Sequence, residues 1–284
     1  MNFLAQLVNG VALGAGYALL ALGWTVLLGA ARLVNFAHGQ LYMLGAFFTW
    51  WASDKLGLPY LLAIPVAIVG AAVIGAVLQL AMSRLTIKQD LVSLMLVTLA
   101  FGYVLTGGAS LVFGNDPQQI DSPGTRHRIS LFGTYLAYQD IAIIVVTLVL
   151  YAATWAVLTR TNIGHYIRGV AEDPQLARLY GISPARVYLG VFVFSSAVVG
   201  LAGSLLAPRE PILTSLGFDQ VIVTFLVVVL GGIGSIGGAL GVGFGLGVFT
   251  ALFGAYVSPA YSMAAAFAVL LVFLVIRPTG VKAA

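Results

Sequence analysis

Residues 91–113 read LVSLMLVTLAFGYVLTGGASLVF, a run with no charged side chain. As a helix it covers about 35 Å, enough to cross the ~30 Å hydrocarbon core of a bilayer. A membrane barrel strand would alternate apolar and polar residues over about ten positions. This run is apolar on every face, so a membrane-spanning helix is the reading.

Working outward, comparable runs occupy 3–29, 34–52, 58–82, 137–158, 186–207, 217–235, 238–255 and 259–276. That makes eight or nine elements, because 34–52 and 217–235 are short or interrupted. Across the 284 residues 61% are apolar and 8% charged. Soluble domains carry about 25% charged residues, so the charge here is too sparse to clothe a soluble globule. The predicted fold class is an all-α polytopic membrane protein: eight or nine transmembrane or partly inserted helices in one membrane domain over 1–284, with a short cytoplasmic helix. There is no Cys, which excludes disulfides, thiolate metal sites and cysteine nucleophiles. The start is apolar from Phe3, with no Lys or Arg before Arg32. It is read as a retained segment, because a cleaved signal needs a basic n-region.

Lys and Arg in the connections set the orientation. The 159–186 interval carries Arg160, Arg168, Arg178 and Arg186; the 83–90 turn has Arg84 and Lys88; the end has Arg277 and Lys282. All three are placed in the cytoplasm. The 114–136 segment is then an irregular external loop, and 208–216, with Pro208, Arg209, Glu210 and Pro211, is external too. If all nine elements cross, the N-terminus is external; if one is re-entrant, it is internal. The interruptions at Arg32–Gly39 and Gly231–Gly238 are expected at corresponding depth in two halves, as in transporters built from repeats. The thirteen Lys and Arg lie thinly at the ends of apolar runs. They mark topology and do not form a phosphate-binding stripe, so no nucleic-acid partner is expected.

Several chemistries are missing. Lys55, Lys88 and Lys282 are the lysines, and none follows Gly, so no P-loop holds ATP. His38, His127 and His165 lie far apart, with no HExxH metal site and no Gly-x-Ser-x-Gly elbow. Gly232, Gly234 and Gly237 match GxGxxG, but no Asp or Glu follows Asp219. A dinucleotide site needs an acidic residue about 20 positions on, so the glycines read as a helix break or close packing. No catalytic or metal-binding constellation remains.

The longest polar interval is Thr159–Arg186, TRTNIGHYIRGVAEDPQLARLYGISPAR. Asp173 before Pro174 starts a helix, with Asp as N-cap and Pro at the first position. Leu176, Leu179 and Tyr180 follow at helical spacing, Gly181 can end the helix in a left-handed conformation, and Ser183-Pro184 can open the next span. A short amphipathic helix over 174–180 is predicted. It either lies on the membrane or docks into a groove on a partner.

The segment Ala171-Glu172-Asp173-Pro174 followed by Ala177-Arg178-Leu179-Tyr180-Gly181-Ile182 resembles the coupling loop of bacterial ABC importer permeases. The closest resemblance is to the branched-chain amino acid (Liv-type) group. Val34-Asn35-Phe36-Ala37-His38-Gly39-Gln40-Leu41-Tyr42-Met43-Leu44-Gly45-Ala46 is similar to that group's first-half signature. Val229-Leu230-Gly231-Gly232-Ile233-Gly234-Ser235-Ile236-Gly237-Gly238 resembles its second-half signature. The three motifs keep their order and reach nearly from end to end. Urea, amide and aromatic-acid importers share the pattern, so it fixes the family better than the solute.

The resemblance implies a transport subunit in the bacterial cytoplasmic membrane, not an enzyme. Its partners would be a second homologous permease, two cytoplasmic ABC ATPases that bind ATP and Mg, and a periplasmic or surface solute-binding protein. This chain would itself bind no cofactor. The coupling residues it implies are Ala171, Glu172, Asp173, Pro174, Leu176, Arg178, Leu179 and Gly181. The translocation path would involve Asn35, His38, Gly39, Tyr42, Gly231, Gly232 and Gly234. Bland roles stand beside these. Glu172 and Asp173 can serve as cap and macrodipole partners. Arg178 can touch lipid phosphate. Asn35 can cap a helix starting near Phe36 with His38 in its first turn, and the glycines, with the overlapping pairs Gly241/Gly245 and Gly243/Gly247, can serve packing. Asp219 is expected to cap a span, and Trp50, Trp51 and Tyr60 to anchor the interface.

Two competing classes remain. A secondary transporter or channel should carry ionisable residues inside its spans, whereas the acidic groups here cluster at predicted ends. An intramembrane enzyme would need paired carboxylates or Ser–His spacing, and neither is present.

Overall fold

The computed structural model describes residues 3–31, 33–88, 91–131 and 134–276. Arg32, Arg277 and Lys282 lie outside them. Six described helices are long and apolar enough to cross a bilayer: α1 (Phe3–Ala31), α3 (Tyr60–Lys88), α4 (Leu91–Phe113), α6 (Tyr138–Arg160), α9 (Pro184–Leu206) and α11 (Ile236–Tyr256). Three shorter helices, α2 (His38–Asp54), α10 (Leu216–Gly231) and α12 (Ser262–Ile276), complete nine membrane elements. Two short helices, α7 (Asn162–Glu172) and α8 (Pro174–Leu179), join α6 to α9. At the opposite end sit helix α5 (Pro123–Arg126) and strands β1 (Arg128–Leu131) and β2 (Thr134–Ala137). The protein is an all-α polytopic membrane protein with one small hairpin.

Helix α1 runs through the middle, against α11, α9, α10 and α6. Small residues make that possible. A Cβ at Gly10 would sit 2.6 Å from Val248 Cα, and one at Gly14 2.7 Å from Phe244 Cα. Backbone therefore lies on backbone, and van der Waals contact supplies the attraction that lipid-exposed helices lack. The two overlapping glycine pairs divide their work. Gly243 and Gly247 face α1, while Gly241 and Gly245 have no atom within 4 Å of where a Cβ would be.

These contacts also fix direction. Gly10 meets Val248 and Gly29 meets Gly234, so α1 and α11 are antiparallel. Gly75 meets Ser196 and Gly200 meets Ala67, so α3 and α9 are antiparallel as well. Carried along the chain, all nine elements alternate. Arg84, Arg160, Arg168, Arg178 and Arg186 then fall at one end, which the excess of basic residues marks as cytoplasmic. The Phe3 end of α1 is external.

The connection between α1 and α2 is unusual. From the cytoplasmic end of α1, residues 33–37 climb back along it, and α2 begins at the level of Leu20, whose carbonyl lies 3.4 Å from His38 Nε2. Non-helical backbone at this depth must be buried in protein and hydrogen-bonded. Leu33, Asn35 and Ala37 are buried. Phe36 N–H donates to Thr98 Oγ1 (3.1 Å) and Ala37 N–H to Asn35 Oδ1 (3.0 Å).

The structure corrects several expectations. Asn35 does not cap α2; its side chain closes a turn one step earlier, and the helix starts at His38 behind Ala37. The Arg32–Gly39 and Gly231–Gly238 breaks are not at corresponding depth. The second is a turn at the cytoplasmic end beside Gly29, whereas the break that meets Gly39 is the 207–215 connection into α10, whose Gly217 packs on Gly39. Asp219 lies in the first turn of α10 but does not cap it; Ser215 holds that position without a side-chain bond. The described residues of the 114–136 segment are not all irregular: they include α5 and two antiparallel strands that pair Arg128 with Ala137 and Leu131 with Thr134. Gln118 also pairs with Ile212, which joins the two external connections (3.0 and 2.8 Å). Tyr60 is no interface anchor. It is buried, donates to Ser204 O (2.9 Å) and accepts from Gln139 Nε2 (2.9 Å).

Candidate functional site

On the cytoplasmic side α7 and α8 form one compact unit. Gly164 lets the start of α7 fold against the Leu158 carbonyl, and Arg168 Nη1 donates to the same oxygen (2.6 Å). Val170 and Ala171 are buried. Glu172 ends α7, and Asp173 turns the chain. Asp173 Oδ1 accepts from the N–H groups of Gln175 (2.8 Å) and Leu176 (3.0 Å), with Pro174 at the first position of α8. The helix closes with Gly181 at φ +79°. Ile182 N–H reaches back to Ala177 O (3.0 Å) and Gly181 N–H to Arg178 O (3.0 Å), the double bond of a Schellman ending. The predicted helix is thus present, with both ends fixed by the residues that predicted them.

With its ends held, α8 turns only Ala177 inward (5% exposed). Leu176, Leu179 and Tyr180 are 50%, 83% and 78% exposed. Glu172, Asp173 and Arg178 are exposed around them. The result is an apolar knob with a charged rim, outside the membrane and between two spans. Asp173→Ala should cost this unit about 1 kcal/mol, roughly a five-fold gain in its open fraction. Limited proteolysis after Arg178 should quicken by that factor, and Asp173→Asn, which keeps an acceptor, should restore the wild-type rate.

The residues assigned to the path fall into two groups. Asn35, His38, Gly39 and Tyr42 meet where α1, α2, α9 and α10 cross, and all are buried within the subunit. The His38 ring stands edge-on to Trp24, 5.5 Å between centroids. Gly39 lies directly on the Gly217 carbonyl. Tyr42 points its hydroxyl outward and donates to Glu210 Oε1 (2.9 Å).

Gly231, Gly232 and Gly234 form the α10–α11 turn. Gly232 (φ +94°) and Gly234 (φ +82°) take conformations that favour glycine. Ser235 then caps α11, its Oγ accepting from Gly238 N–H (3.2 Å). Gly234 borders a cytoplasmic cavity of about 510 Å³ together with Gly29, Thr159 and Arg168. The GxGxxG match is therefore a helix–helix turn.

Sequence reasoning missed two features. Helix α7 lies within the polar interval 159–186, where Ile163, Ile167 and Val170 repeat at helical spacing. The sequence places Arg209 and Glu210 only in an external loop. In the structure Arg209 Nη1 bridges to Asp140 Oδ1 (3.2 Å) and Glu210 takes the Tyr42 hydroxyl. Opposite charges framed by two prolines at the end of an apolar run were the available signal.

The family model for "Branched-chain amino acid transport system / permease component" matches residues 6–274. The chain is 31% identical to the high-affinity branched-chain amino acid transport system permease protein LivH of Escherichia coli K12, over 99% of this chain and 96% of that protein. It is 30% identical to permease protein BraD of Pseudomonas aeruginosa, over 99% and 95%. Permease protein LivM of Escherichia coli K12 is 28% identical over 77% of this chain and 57% of its own length. No solved structure matches. A nine-element helical membrane fold with glycine-packed spans, together with a match over nearly the whole length, places the chain in the family of branched-chain amino acid transport permease components.

Proposed function

We propose that this chain is one permease subunit of an ATP-driven importer for branched-chain or closely related amino acids. Residues 1–284 act as a single transmembrane domain that forms half of the translocation path. The observation that carries this is the α8 knob: Leu176, Leu179 and Tyr180 stand out from a doubly capped helix on the cytoplasmic face. Exposed apolar side chains on so well-fixed a helix fit a groove on a partner. That partner is a cytoplasmic ABC ATPase, one of two, which binds ATP and Mg; this chain binds neither. Ala171, Glu172, Asp173, Pro174, Arg178 and Gly181 shape and rim the knob. A second homologous permease and a periplasmic or surface solute-binding protein complete the assembly.

In the path itself, Gly231, Gly232 and Gly234 shape the cytoplasmic mouth. Asn35, His38 and Gly39 hold α2 at mid-membrane, and Tyr42 steadies Glu210 at the outer end. ATP drives transport only if the ATPases favour one path conformation over the other, and α8, rigid and anchored through α7 to the ends of α6 and α9, can carry that bias. The test is affinity capture of the tagged, detergent-solubilised protein from its native membrane, with identification of the chains that come with it. ABC ATPases and a second permease of the same family are the expected companions. A folded protein captured under gentle conditions without any ATPase would overturn the proposal.

A further inference from the structure

A cavity of about 210 Å³ lies between the outer half of α1, the end of α9, the 207–215 connection and the start of α10. Its walls divide by chemistry. Leu13, Leu20 and Leu206 make one part apolar, and Tyr17, Arg209, Glu210 and Gln220 bring polar groups to the other. The pocket runs from the external surface at Arg209 down to Leu20, the level of the mid-membrane junction.

We propose that this cavity is a subsite for the α-ammonium and α-carboxylate of an aliphatic amino acid, held within the permease itself. The inference rests on the importer reading above and adds the place and chemistry of solute recognition. Here one cation and one anion adjoin a single small cavity. Glu210 matches an ammonium, and its position is fixed by the Tyr42 hydroxyl on Oε1. Arg209 offers five N–H donors in a planar fork, of which Asp140 takes Nη1. The rest of the fork matches a carboxylate. Gln220 Oε1 is buried with no hydrogen-bond partner among the described residues. A buried acceptor left unpaired is costly, and an ammonium that draws the Gln220 amide toward the cavity would satisfy it. Leu13, Leu20 and Leu206 take the aliphatic side chain. The volume is below the roughly 300 Å³ at which sites for drug-sized ligands begin, and so suits a solute of amino-acid size.

Because the chain has no Cys, thiol labelling reads this cavity directly. Leu206→Cys and, separately, Leu13→Cys are placed in the assembled importer in proteoliposomes. 2-Aminoethyl methanethiosulfonate is added outside, and mass gain on this chain is followed with time. Millimolar leucine should slow labelling at both positions at least about five-fold. The des-amino analogue 4-methylpentanoate and the des-carboxy analogue 3-methylbutylamine should not. Glu210→Gln should erase the protection by leucine.

No labelling at either position, or labelling that leucine leaves unchanged, overturns the subsite. So does equal protection by 4-methylpentanoate. ATP-driven leucine uptake of the complex without cysteine substitutions, measured in parallel, separates the two claims. Uptake without protection removes the subsite alone. Protection without ATP-driven uptake keeps the subsite and removes the importer reading.

Discussion

A Leu176→Asp/Leu179→Asp variant is expected to reach the membrane at wild-type level, to melt like the wild type in detergent, and to lose at least ten-fold of its ATPase retention. Both side chains are half or more exposed, so the fold loses little; surface substitutions away from special features stay within about 0.5 kcal/mol. In a docked complex the same side chains would be buried. Central apolar anchors are often worth about 2 kcal/mol or more each, and an unpaired carboxylate forced into such a pocket adds a desolvation cost. Either term alone exceeds the 1.4 kcal/mol that corresponds to ten-fold. The measurement is the ATPase-to-permease ratio after affinity capture, beside a melting curve. Full retention at an unchanged melting temperature would remove α8 as the docking element.

The second large effect is on the fold. Gly39→Val is expected to destabilise the subunit by about 3 kcal/mol or more, at the upper end of overpacking costs. A Cβ at Gly39 runs into the Gly217 carbonyl and comes 2.5 Å from Val221 Cγ2. The obstacle is mostly backbone, which has no rotamer to yield. Forcing α2 from α10 would also pull on residues 33–37, whose hydrogen bonds to Thr98 and Asn35 hold them within the interior. Gly241→Ala is the control, since no atom lies within 4 Å of its Cβ position. A melting curve of each variant in the same detergent decides. Equal temperatures for the two would mean that α2 is not pinned at Gly39.

The parts legible in the sequence are those decided locally. Helix α4 has the bounds 91–113 read from its unbroken apolar run. Helix α8 was fixed by Asp173, Pro174 and Gly181, and each residue does in the structure what its chemistry requires. What tertiary packing decides was not legible. Gly39 and Gly217 are far apart in sequence, and only their contact shows that the two interrupted elements meet at mid-membrane. The same holds for the outer cavity, where Tyr17 on α1 and Gln220 on α10 come together beside Arg209 and Glu210. The hairpin at 128–137 has strands of four residues each, too short for alternation to separate from a loop. Side-of-membrane was half legible. Arginine placement named the cytoplasmic face, and the antiparallel contacts of α1 with α11 then set the N-terminal end outside.

Under the proposed function, solute crosses through this subunit under the drive of ATP bound on partner subunits. The direct measurement is uptake of labelled leucine into proteoliposomes that hold the captured complex, with the solute-binding protein outside and ATP with Mg inside. Accumulation is expected only with internal ATP, to be lost with the Leu176→Asp/Leu179→Asp variant, and to persist when proton and sodium gradients are collapsed. Accumulation that needs an ion gradient and ignores ATP would overturn the importer proposal and identify a secondary transporter.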